Sequence, residues 1–284
     1  MIFVAAAVSA VLALIVIAIL SNTMLSVSRY DISGKKLPPS FDGYKIIHLS
    51  DLHSKSFGKN NERLLRRVKK ENPDAVCVTG DMVNKYERRG DFAVFFDLVN
   101  RLAALCDVYY VSGNHEQSLP AGEQNLLLAH LEKAGVTALQ NNKTAVTKGG
   151  ESIALYGLAI DLKYYLRPSK YKDLGADKVG ELLGKADDTR FNILLAHHPK
   201  FFEGYAEWGA DLTLSGHIHG GMVRLPFIGG LLSPEKKFFP KYDAGLFSEN
   251  GRRMVLSRGL GSGRYKFRFL NPPEIVVVTL AVCP

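Results

Sequence analysis

The sequence predicts an α/β domain with a largely parallel sheet, preceded by one N-terminal transmembrane helix. Short apolar runs alternate with amphipathic helical runs between residues 45 and 134, an order typical of a parallel sheet covered by helices. A polar motif directly follows each apolar run, and in such sheets ligands bind beyond the carboxyl ends of the strands. The chain has 284 residues, of which about 240 follow the N-terminal segment, enough for one large domain with a full core.

The N-terminal segment is predicted to be an uncleaved membrane anchor. Residues 2–20 carry no charge, and Ser9 is their only polar side chain. A helix of that length spans the hydrocarbon core of a bilayer. A secretory signal peptide would have a basic start and a small-x-small cleavage site, and the sequence offers no convincing example of either. We therefore assign residues 1–22 to a transmembrane anchor, 23–42 to a polar connector and 43–284 to the main domain.

Positive charge is unevenly distributed along the chain, whose formal net charge is +8. Arg29, Lys35 and Lys36 follow the anchor, so the positive-inside rule favours a cytoplasmic main domain. Residues 221–284 hold ten Lys or Arg and four Asp or Glu. This excess indicates an anionic partner, either phosphate, nucleic acid or an anionic membrane surface, and a solvated basic face is the alternative interpretation.

The three cysteines are predicted to be free thiols. Cys77 lies in an apolar strand-like run, Cys106 ends a helical run, and Cys283 lies near the C-terminus. An odd number without close spacing argues against a disulfide framework and against a thiolate metal site.

The elements before residue 140 follow from their local patterns. The run 45–49 is apolar and strand-length, and the segment 60–71 places Leu64, Leu65 and Val68 on one helical face opposite basic residues. By the same two patterns, strands are predicted at 45–49, 75–79 and 108–111, and helices at 60–71, 91–105 and 123–134.

The second half of the chain is richer in strands. Asn-Asn and Gly-Gly turns separate short β-like runs between residues 136 and 158. Strands are predicted at 136–139, 145–147, 153–158, 191–196, 212–214, 254–257 and 275–282, and helices at 179–185 and 201–208.

Two further segments each allow two interpretations. Residues 161–176 form a polar, Tyr-rich excursion with Arg167 and Lys170, which is either a lid over a site or an insertion loop. Residues 225–241 combine apolar and basic side chains, which is the composition of a membrane-surface contact. Core packing beneath an irregular loop is the alternative for this second segment.

Oxygen and imidazole side chains follow five predicted strands. They are Asp51 and His53, Asp81, Asn114 and His115, His197, and the pair His217 and His219 in a glycine-rich turn. Each one alone could be a helix cap, a turn residue or a core histidine. Together they form a hard O/N ligand set suited to Mn²⁺, Fe or Zn²⁺. The set is too large for one ion, and two ions about 3.5–4 Å apart can clamp a phosphoryl group and generate a hydroxide.

The ordered motifs Asp51-Leu52-His53, Gly80-Asp81, Gly113-Asn114-His115-Glu116, His197 and Gly216-His217-Ile218-His219 resemble those of the calcineurin-like metallophosphoesterases. The resemblance covers residues 45 to about 221 and implies a four-layer αββα sandwich around a dinuclear site. It implies seven ligands: Asp51, His53 and His219 for one ion, Asn114, His197 and His217 for the other, and a bridging Asp81. His115 would not bind metal but would protonate or stabilise the leaving oxygen.

Two positions depart from the family pattern or leave it ambiguous. The aspartate that family phosphatases carry three residues after Gly-Asp is Asn84 here, so an acid that orients His115 is missing or is replaced by Glu116. The adjacent His197 and His198 both fit one motif, and Pro199 selects His197 through the family's His-x-Pro pattern.

The C-terminal motifs around Arg224 and Arg258 resemble a bacterial membrane-associated subgroup, which includes phosphodiesterases and a UDP-2,3-diacylglucosamine pyrophosphohydrolase. The sequence therefore predicts a membrane-anchored phosphohydrolase that uses two divalent ions, with Mn²⁺ favoured over Fe or Zn²⁺. A metal-bridging hydroxide would cleave a phosphodiester or pyrophosphate bond of a lipid or cell-envelope substrate such as a UDP-diacylglucosamine. Arg224 and Arg258 are predicted to contact that substrate.

Two alternatives remain, a phosphodiesterase for soluble nucleotides and a non-catalytic membrane-tethered scaffold. The scaffold is disfavoured because a competent side chain fills every ligand position. Nucleic acid is not expected as a partner, because the basic residues are not interleaved with aromatic ones in a stripe.

Overall fold

Two β-sheets packed face to face between outer helices form the domain, in a computed structural model that describes residues 1–85, 92–166, 173–263 and 267–283. The helices are α1 (Ile2–Thr23), α2 (Glu62–Glu71), α3 (Ala93–Ala103), α4 (Asn114–Gln117), α5 (Ala121–Lys133), α6 (Lys163–Leu166), α7 (Ala176–Leu183) and α8 (Phe202–Trp208). The strands are β1 (Ser26–Gly34), β2 (Lys45–Leu49), β3 (Ala75–Val78), β4 (Asp107–Tyr110), β5 (Thr137–Ala138), β6 (Asn142–Lys148), β7 (Glu151–Leu158), β8 (Asn192–Ala196), β9 (Leu212–Ser215), β10 (Arg224–Leu225), β11 (Gly229–Gly230), β12 (Gly245–Glu249), β13 (Arg252–Leu256) and β14 (Glu274–Val282).

The two large sheets bring the strand ends of the polar motifs together. Among the described residues, one sheet has six strands in the order β1-β14-β2-β3-β4-β5, and the other has six in the order β12-β13-β9-β8-β7-β6. Strands β2, β3 and β4 are mutually parallel, and so are β7, β8 and β9. The carboxyl ends of each set therefore lie at one edge of its sheet, as the alternation of elements predicts.

Alternating side chains of the strands build separate cores on the two faces of each sheet. Ile46 of β2 and Ile193 of β8 belong to one buried cluster between the sheets. Their neighbours Ile47 and Leu194 point the other way, toward helices α2, α3 and α5 and toward helices α7 and α8, respectively. Because successive side chains of a strand point to opposite faces, each sheet packs against the other sheet on one face and against helices on its other face. The layers therefore follow the order helix, sheet, sheet, helix. This arrangement confirms the predicted fold class.

The segment predicted as a polar connector is part of the sheet. Strand β1 pairs in parallel with β14 over nine residues, from Ser26 opposite Glu274 to Gly34 opposite Val282. Strand β1 is an edge strand, and Ile32 is its one fully buried apolar side chain. Because most of its other side chains are polar, it was not recognised as a strand from apolar runs in the sequence. Residues 26–34 therefore belong to the folded domain and not to a linker.

Helix α1 is long and apolar enough to cross a membrane. It has 22 residues, about 33 Å at the usual helical rise, and its most apolar window is not buried by the rest of the protein. Only Met24 and Leu25 separate its last residue from β1, and Leu25 is buried.

Residues 161–176, for which a lid and an insertion loop were both considered, are described only in part. The first turn of this segment forms α6, and Tyr165 on that turn stacks on His198 with ring centroids 5.0 Å apart. Arg167 and Lys170 lie outside the described residues.

Candidate metal centre

Loops from both sheets meet at the candidate site and are hydrogen-bonded to one another. The amide of Asp51 donates to the carbonyl of Gly80 at 3.0 Å, and the amide of His53 donates to that of Asp81 at 3.0 Å. The amide of His217 donates to the carboxylate of Asp51 at 3.1 Å, which connects the loop after β9 to the loop after β2. The backbone thus holds the motifs in register before any ligand is considered.

Asp51, His53 and His219 form the first group, in which the candidate ligand atoms lie within 4.8 Å of one another. The Nε2 atom of His219 lies 3.4 Å from Oδ1 of Asp51 and 3.2 Å from Nε2 of His53. All three residues are buried. This is the trio that the resemblance assigns to one ion.

Asp81, His197 and His217 form the second group, again with candidate ligand atoms within 4.8 Å. Oδ2 of Asp81 lies 3.3 Å from Nε2 of His197 and 3.9 Å from Nε2 of His53. Asp81 therefore faces both groups, which is the position a bridging carboxylate needs. Asn114 lines the same cavity as Asp81 and His217.

The main chain at this site adopts a conformation that L-residues rarely use. Five of the seven expected ligands have φ between +48° and +71°, namely Asp51, His53, Asp81, His217 and His219. A non-glycine residue in this region costs about 1–2 kcal/mol. Strain of this kind concentrates at functional sites, where the surrounding fold enforces it.

One glycine contact explains how the two sheets approach so closely here. A Cβ atom built on Gly216 would overlap Oγ of Ser50 and Oδ2 of Asp51. The glycine therefore lets the loop after β9 lie directly against the loop after β2. A larger residue would force the two groups of ligands apart.

Burial and neighbouring charge set the protonation of the histidines. Burial lowers the pKa of His53 and of His219 to about 3, so both imidazoles are neutral and can offer a lone pair. Burial also acts on His197, but the carboxylate of Asp81 outweighs it and raises the pKa of His197 to about 9. Burial likewise opposes ionisation of Asp81, yet His197 and His115 hold its pKa well below the usual range.

Buried polar atoms at the site suit divalent cations. Among the described residues, Oδ1 of Asn114 is buried and has no hydrogen-bond partner. An orphaned buried acceptor is costly, and a cation on this oxygen would remove that cost. Carboxylate, amide oxygen and imidazole are the donor types that Mn²⁺, Fe and Zn²⁺ accept in mixed O/N sites. The residues therefore fit a dinuclear divalent metal site.

His115 lies beside Asp81 and His53, and its ligand atom falls within 4.8 Å of theirs. Its Nε2 atom is 3.9 Å from Oδ2 of Asp81, its ring centroid is 4.5 Å from that of His53, and it lines the cavity. Burial lowers its pKa. The amide of Lys85 donates to its Nδ1 atom at 3.3 Å, so a backbone group contacts the nitrogen where the family's missing acid is expected.

Glu116 has a different role from the one suggested by the sequence. The sequence suggested that Glu116 could orient His115. Instead, its carboxylate accepts hydrogen bonds from backbone N–H groups of the loop after β3 and of the loop after β4, and so holds these two loops together. The donors are Gly113 at 2.9 Å, Asp81 at 2.8 Å, Met82 at 2.6 Å and Val83 at 3.1 Å.

A cavity of about 300 Å³ opens over the two groups. Motif reasoning missed several residues that line it, because none of them belongs to a recognised motif and most come from irregular loops. They are Lys85, Tyr165, Glu235, Lys236, Phe267 and Arg268.

Arg268 is the most unusual, since its guanidinium is buried and donates to the carbonyl groups of Gly261 and Arg258. Burial lowers its pKa to about 10, so it stays charged at neutral pH.

Arg224 and Arg258, which were predicted to contact substrate, do not line this cavity. Arg224 forms an ion pair with Asp243 at 3.0 Å and donates to the carbonyl of Gly220 at 2.8 Å. Arg258 pairs with Glu274 at 2.8 Å. Both guanidinium groups are thus engaged by the scaffold, and among the described C-terminal residues the cations that line the cavity are Lys236 and Arg268.

This chain is similar to several known proteins. The uncharacterized metallophosphoesterase YkuE of Bacillus subtilis (strain 168) is 28% identical over 261 residues, covering 90% of this chain and 86% of YkuE. The phosphodiesterase YaeI of Escherichia coli (strain K12) is 26% identical over 240 residues, covering 84% and 82%. A solved structure of the phosphopantetheinyl hydrolase PptH from Mycobacterium tuberculosis matches at 14% identity with a TM-score of 0.45, covering 82% of this chain and 97% of PptH.

The family model for calcineurin-like phosphoesterases matches residues 44–221 of the 284. That span contains all seven expected ligands and His115. The same span supplies the strand ends that bring those side chains together. The chain belongs to the calcineurin-like phosphoesterase family and is a metal-dependent phosphoesterase.

Proposed function

We propose that this chain is a membrane-anchored phosphohydrolase that cleaves a phosphodiester or pyrophosphate bond in a lipid or cell-envelope substrate such as a UDP-diacylglucosamine. Two divalent ions are its cofactors, with Mn²⁺ proposed first and Fe or Zn²⁺ as the alternatives, since the carboxylate, amide and imidazole donors accept all three. The positive charges after α1 support a cytoplasmic position for the main domain. A reporter fused to the C-terminus tests that placement.

The position of the metal cavity relative to α1 carries the lipid assignment. A second cavity of about 310 Å³ shares His53, Ser262 and Gly263 with the metal cavity and reaches Asn22, at the last turn of α1. A substrate whose acyl chains lie in the bilayer would therefore have its phosphate close to the ligands. A soluble substrate would not need this proximity.

The residues around the cavity suit a phosphate diester. When bound, the two ions would neutralise phosphate charge and activate water. Lys85 and the buried Arg268 add positive charge to the cavity wall, which favours an anionic substrate. His115 lines the cavity and would hold a proton at the leaving oxygen, and the hydrogen bond from the amide of Lys85 to its Nδ1 supports this orientation of the ring.

A metal-supplemented substrate screen tests this function. Full-length chain in detergent is stripped with chelator, supplied with Mn²⁺, Fe²⁺ or Zn²⁺, and assayed on a UDP-diacylglucosamine, bis-p-nitrophenyl phosphate and a cyclic nucleotide. We expect metal-dependent turnover, fastest on the lipid. Faster turnover of the nucleotide would favour the soluble-substrate alternative, and no turnover with any metal would favour a scaffold.

A further inference from the structure

The end of α1 is docked on the domain by specific hydrogen bonds. The amide of Leu270 donates to Oγ of Ser21 at 2.8 Å, and Nδ2 of Asn22 donates to the carbonyl of Arg268 at 2.9 Å. With only two residues between α1 and β1, the helix cannot swing as a loose tether. The surface next to its last turn is therefore held at a fixed place relative to the bilayer.

Two cations complete this docking. Nζ of Lys55 donates to the carbonyl of Asn22 at 2.6 Å, and the guanidinium of Arg63 donates to the carbonyl of Thr23 at 3.0 Å. They donate to carbonyl groups that have no partner within the helix, and their positive charge interacts favourably with the negative end of the helix dipole. Lys55 also lines the cavity beside the metal site, so the helix end and the site share a wall.

Several exposed apolar side chains lie on the segments that supply the cavity-lining residues Lys236 and Phe267, or on the hairpin bonded to those segments. We call this set the membrane rim, and it consists of Phe227, Ile228, Phe238, Phe239, Phe267 and Leu270. Phe238 is 68% exposed and Phe239 61% exposed, far above what core packing beneath a loop would give. Exposed aromatic clusters of this kind mark an interaction surface.

Backbone hydrogen bonds make the membrane rim continuous with the docked helix. The segment that contacts α1 pairs with the loop after β9, because Phe269 accepts from the amide of Arg224 at 3.0 Å and donates to Met222 at 3.1 Å. That loop leads into the β10–β11 hairpin, which carries Phe227 and Ile228 at its turn. The amide of Phe239 then donates to the carbonyl of Leu231 at 3.0 Å.

We propose that the membrane rim inserts into the interface of the bilayer that α1 crosses, so that the metal cavity opens directly onto lipid headgroups. This inference rests on the membrane anchoring proposed above. The occupant is a bilayer with anionic lipids, because Lys236, Lys237 and Lys241 lie among the apolar residues. A substrate would reach the ligands without leaving its leaflet.

Depth-dependent fluorescence quenching tests the insertion independently of activity. Full-length chain carrying Phe239→Trp is reconstituted in vesicles of phosphatidylcholine and phosphatidylglycerol that contain a lipid nitroxide-labelled near its headgroup. The matched control is Leu126→Trp, because Leu126 is 53% exposed on α5 and has no part in the rim. The buried Trp208 gives the same background in both. We expect strong quenching at position 239 and only background quenching at 126.

A second measurement connects the rim to function. The double variant Phe238→Ser/Phe239→Ser should lower turnover of a vesicle-embedded phosphodiester lipid about tenfold. Turnover of water-soluble bis-p-nitrophenyl phosphate should be unchanged, and Leu126→Ser should change neither rate.

Equal quenching at positions 239 and 126 would overturn the insertion, even if lipid turnover is normal. Cross-linking of two chains through position 239 would assign the surface to a second copy and would overturn it as well. Strong quenching without any lipid turnover would leave the insertion standing and refute the proposed function instead.

Discussion

Oε1 of Glu235 lies 3.2 Å from Nε2 of His217, one of the expected metal ligands. The same oxygen lies 3.3 Å from Nε2 of His198, whose Nδ1 accepts from the amide of Lys200. The carboxylate thus accepts a hydrogen bond from His217 and lies close to the imidazole of His198. Because Nε2 of His217 is engaged, its Nδ1 is the nitrogen left for a cation, and the carboxylate fixes that tautomer.

Replacing Glu235 should therefore weaken metal binding selectively. We expect Glu235→Ala to lower affinity for one of the two ions about tenfold to a hundredfold while the other is retained. Glu235→Gln keeps one acceptor and should have a smaller effect. Metal content per chain after graded dialysis against chelator measures this. Glu132→Ala, at an exposed position on α5, is the control. A chain that binds three ions, one lost with Glu235, would instead make Glu235 a ligand.

Removing the carboxylate that faces both groups should abolish turnover. Asp81→Asn keeps the size of the side chain but loses the charge shared by the two groups, so we expect turnover to fall about a thousandfold or more. Circular dichroism should show the fold unchanged. The control Asp161→Asn changes an exposed aspartate. Turnover of Asp81→Asn within a few-fold of the unaltered chain would contradict a bridging role.

A methyl group at the contact between the two sheets should disrupt the site. Gly216→Ala would place a Cβ on the side chains of Ser50 and Asp51, and we expect loss of bound metal and of activity. Gly122→Ala is the matched control, because nothing lies near its Cβ position in α5. That change should stabilise the chain by about 0.5–1 kcal/mol. Thermal unfolding and metal analysis of both variants separate a local from a global effect.

The clamp made by Glu116 should matter for stability. Glu116→Gln replaces an acceptor by an NH₂ donor that faces backbone N–H groups. We expect a loss of about 1–3 kcal/mol in the free energy of unfolding, the usual cost of unsatisfied buried groups. Urea unfolding in detergent measures it, with Glu132→Gln as the comparison. An unchanged midpoint would show that the four backbone donors are satisfied without the carboxylate.

Thiol reactivity should follow burial. Burial raises the pKa of Cys77, and that of Cys106 to about 11. Since the thiolate is the reactive form, labelling of Cys106 should rise about tenfold per pH unit below that value. Cys77 should label only after unfolding. Mass spectrometry after timed alkylation between pH 7 and 9 checks both residues, and rapid labelling of Cys77 in the native chain would contradict its burial.

The convergence of the candidate ligands was predictable because the sequence shows that they follow strand-like apolar runs. Asp51, Asp81 and His197 each follow an apolar run, and the carboxyl ends of parallel strands converge. Nothing in local sequence marks Glu235 or Arg268, since irregular loops bring both to the cavity through contacts distant along the chain. The left-handed backbone of the ligands was equally hidden, because the fold imposes it against local preference.

Strand β1 was missed for a different reason. An edge strand buries little, so Ser26–Gly34 reads as a polar segment although it pairs along its whole length. The prediction that Arg224 and Arg258 contact substrate rested on similarity of motifs. Such similarity does not show which carboxylate a guanidinium pairs with, and here the partners are Asp243 and Glu274.

The pairing of β1 with β14 decides where a soluble version of this enzyme should begin. Cutting before residue 43, the boundary suggested by composition, would strip β14 of its neighbour along nine residues. The unpaired backbone N–H and C=O groups of this Val-rich strand could then pair with strands of other chains, which would promote aggregation. Starting at Met24 removes the anchor and leaves the sheet complete.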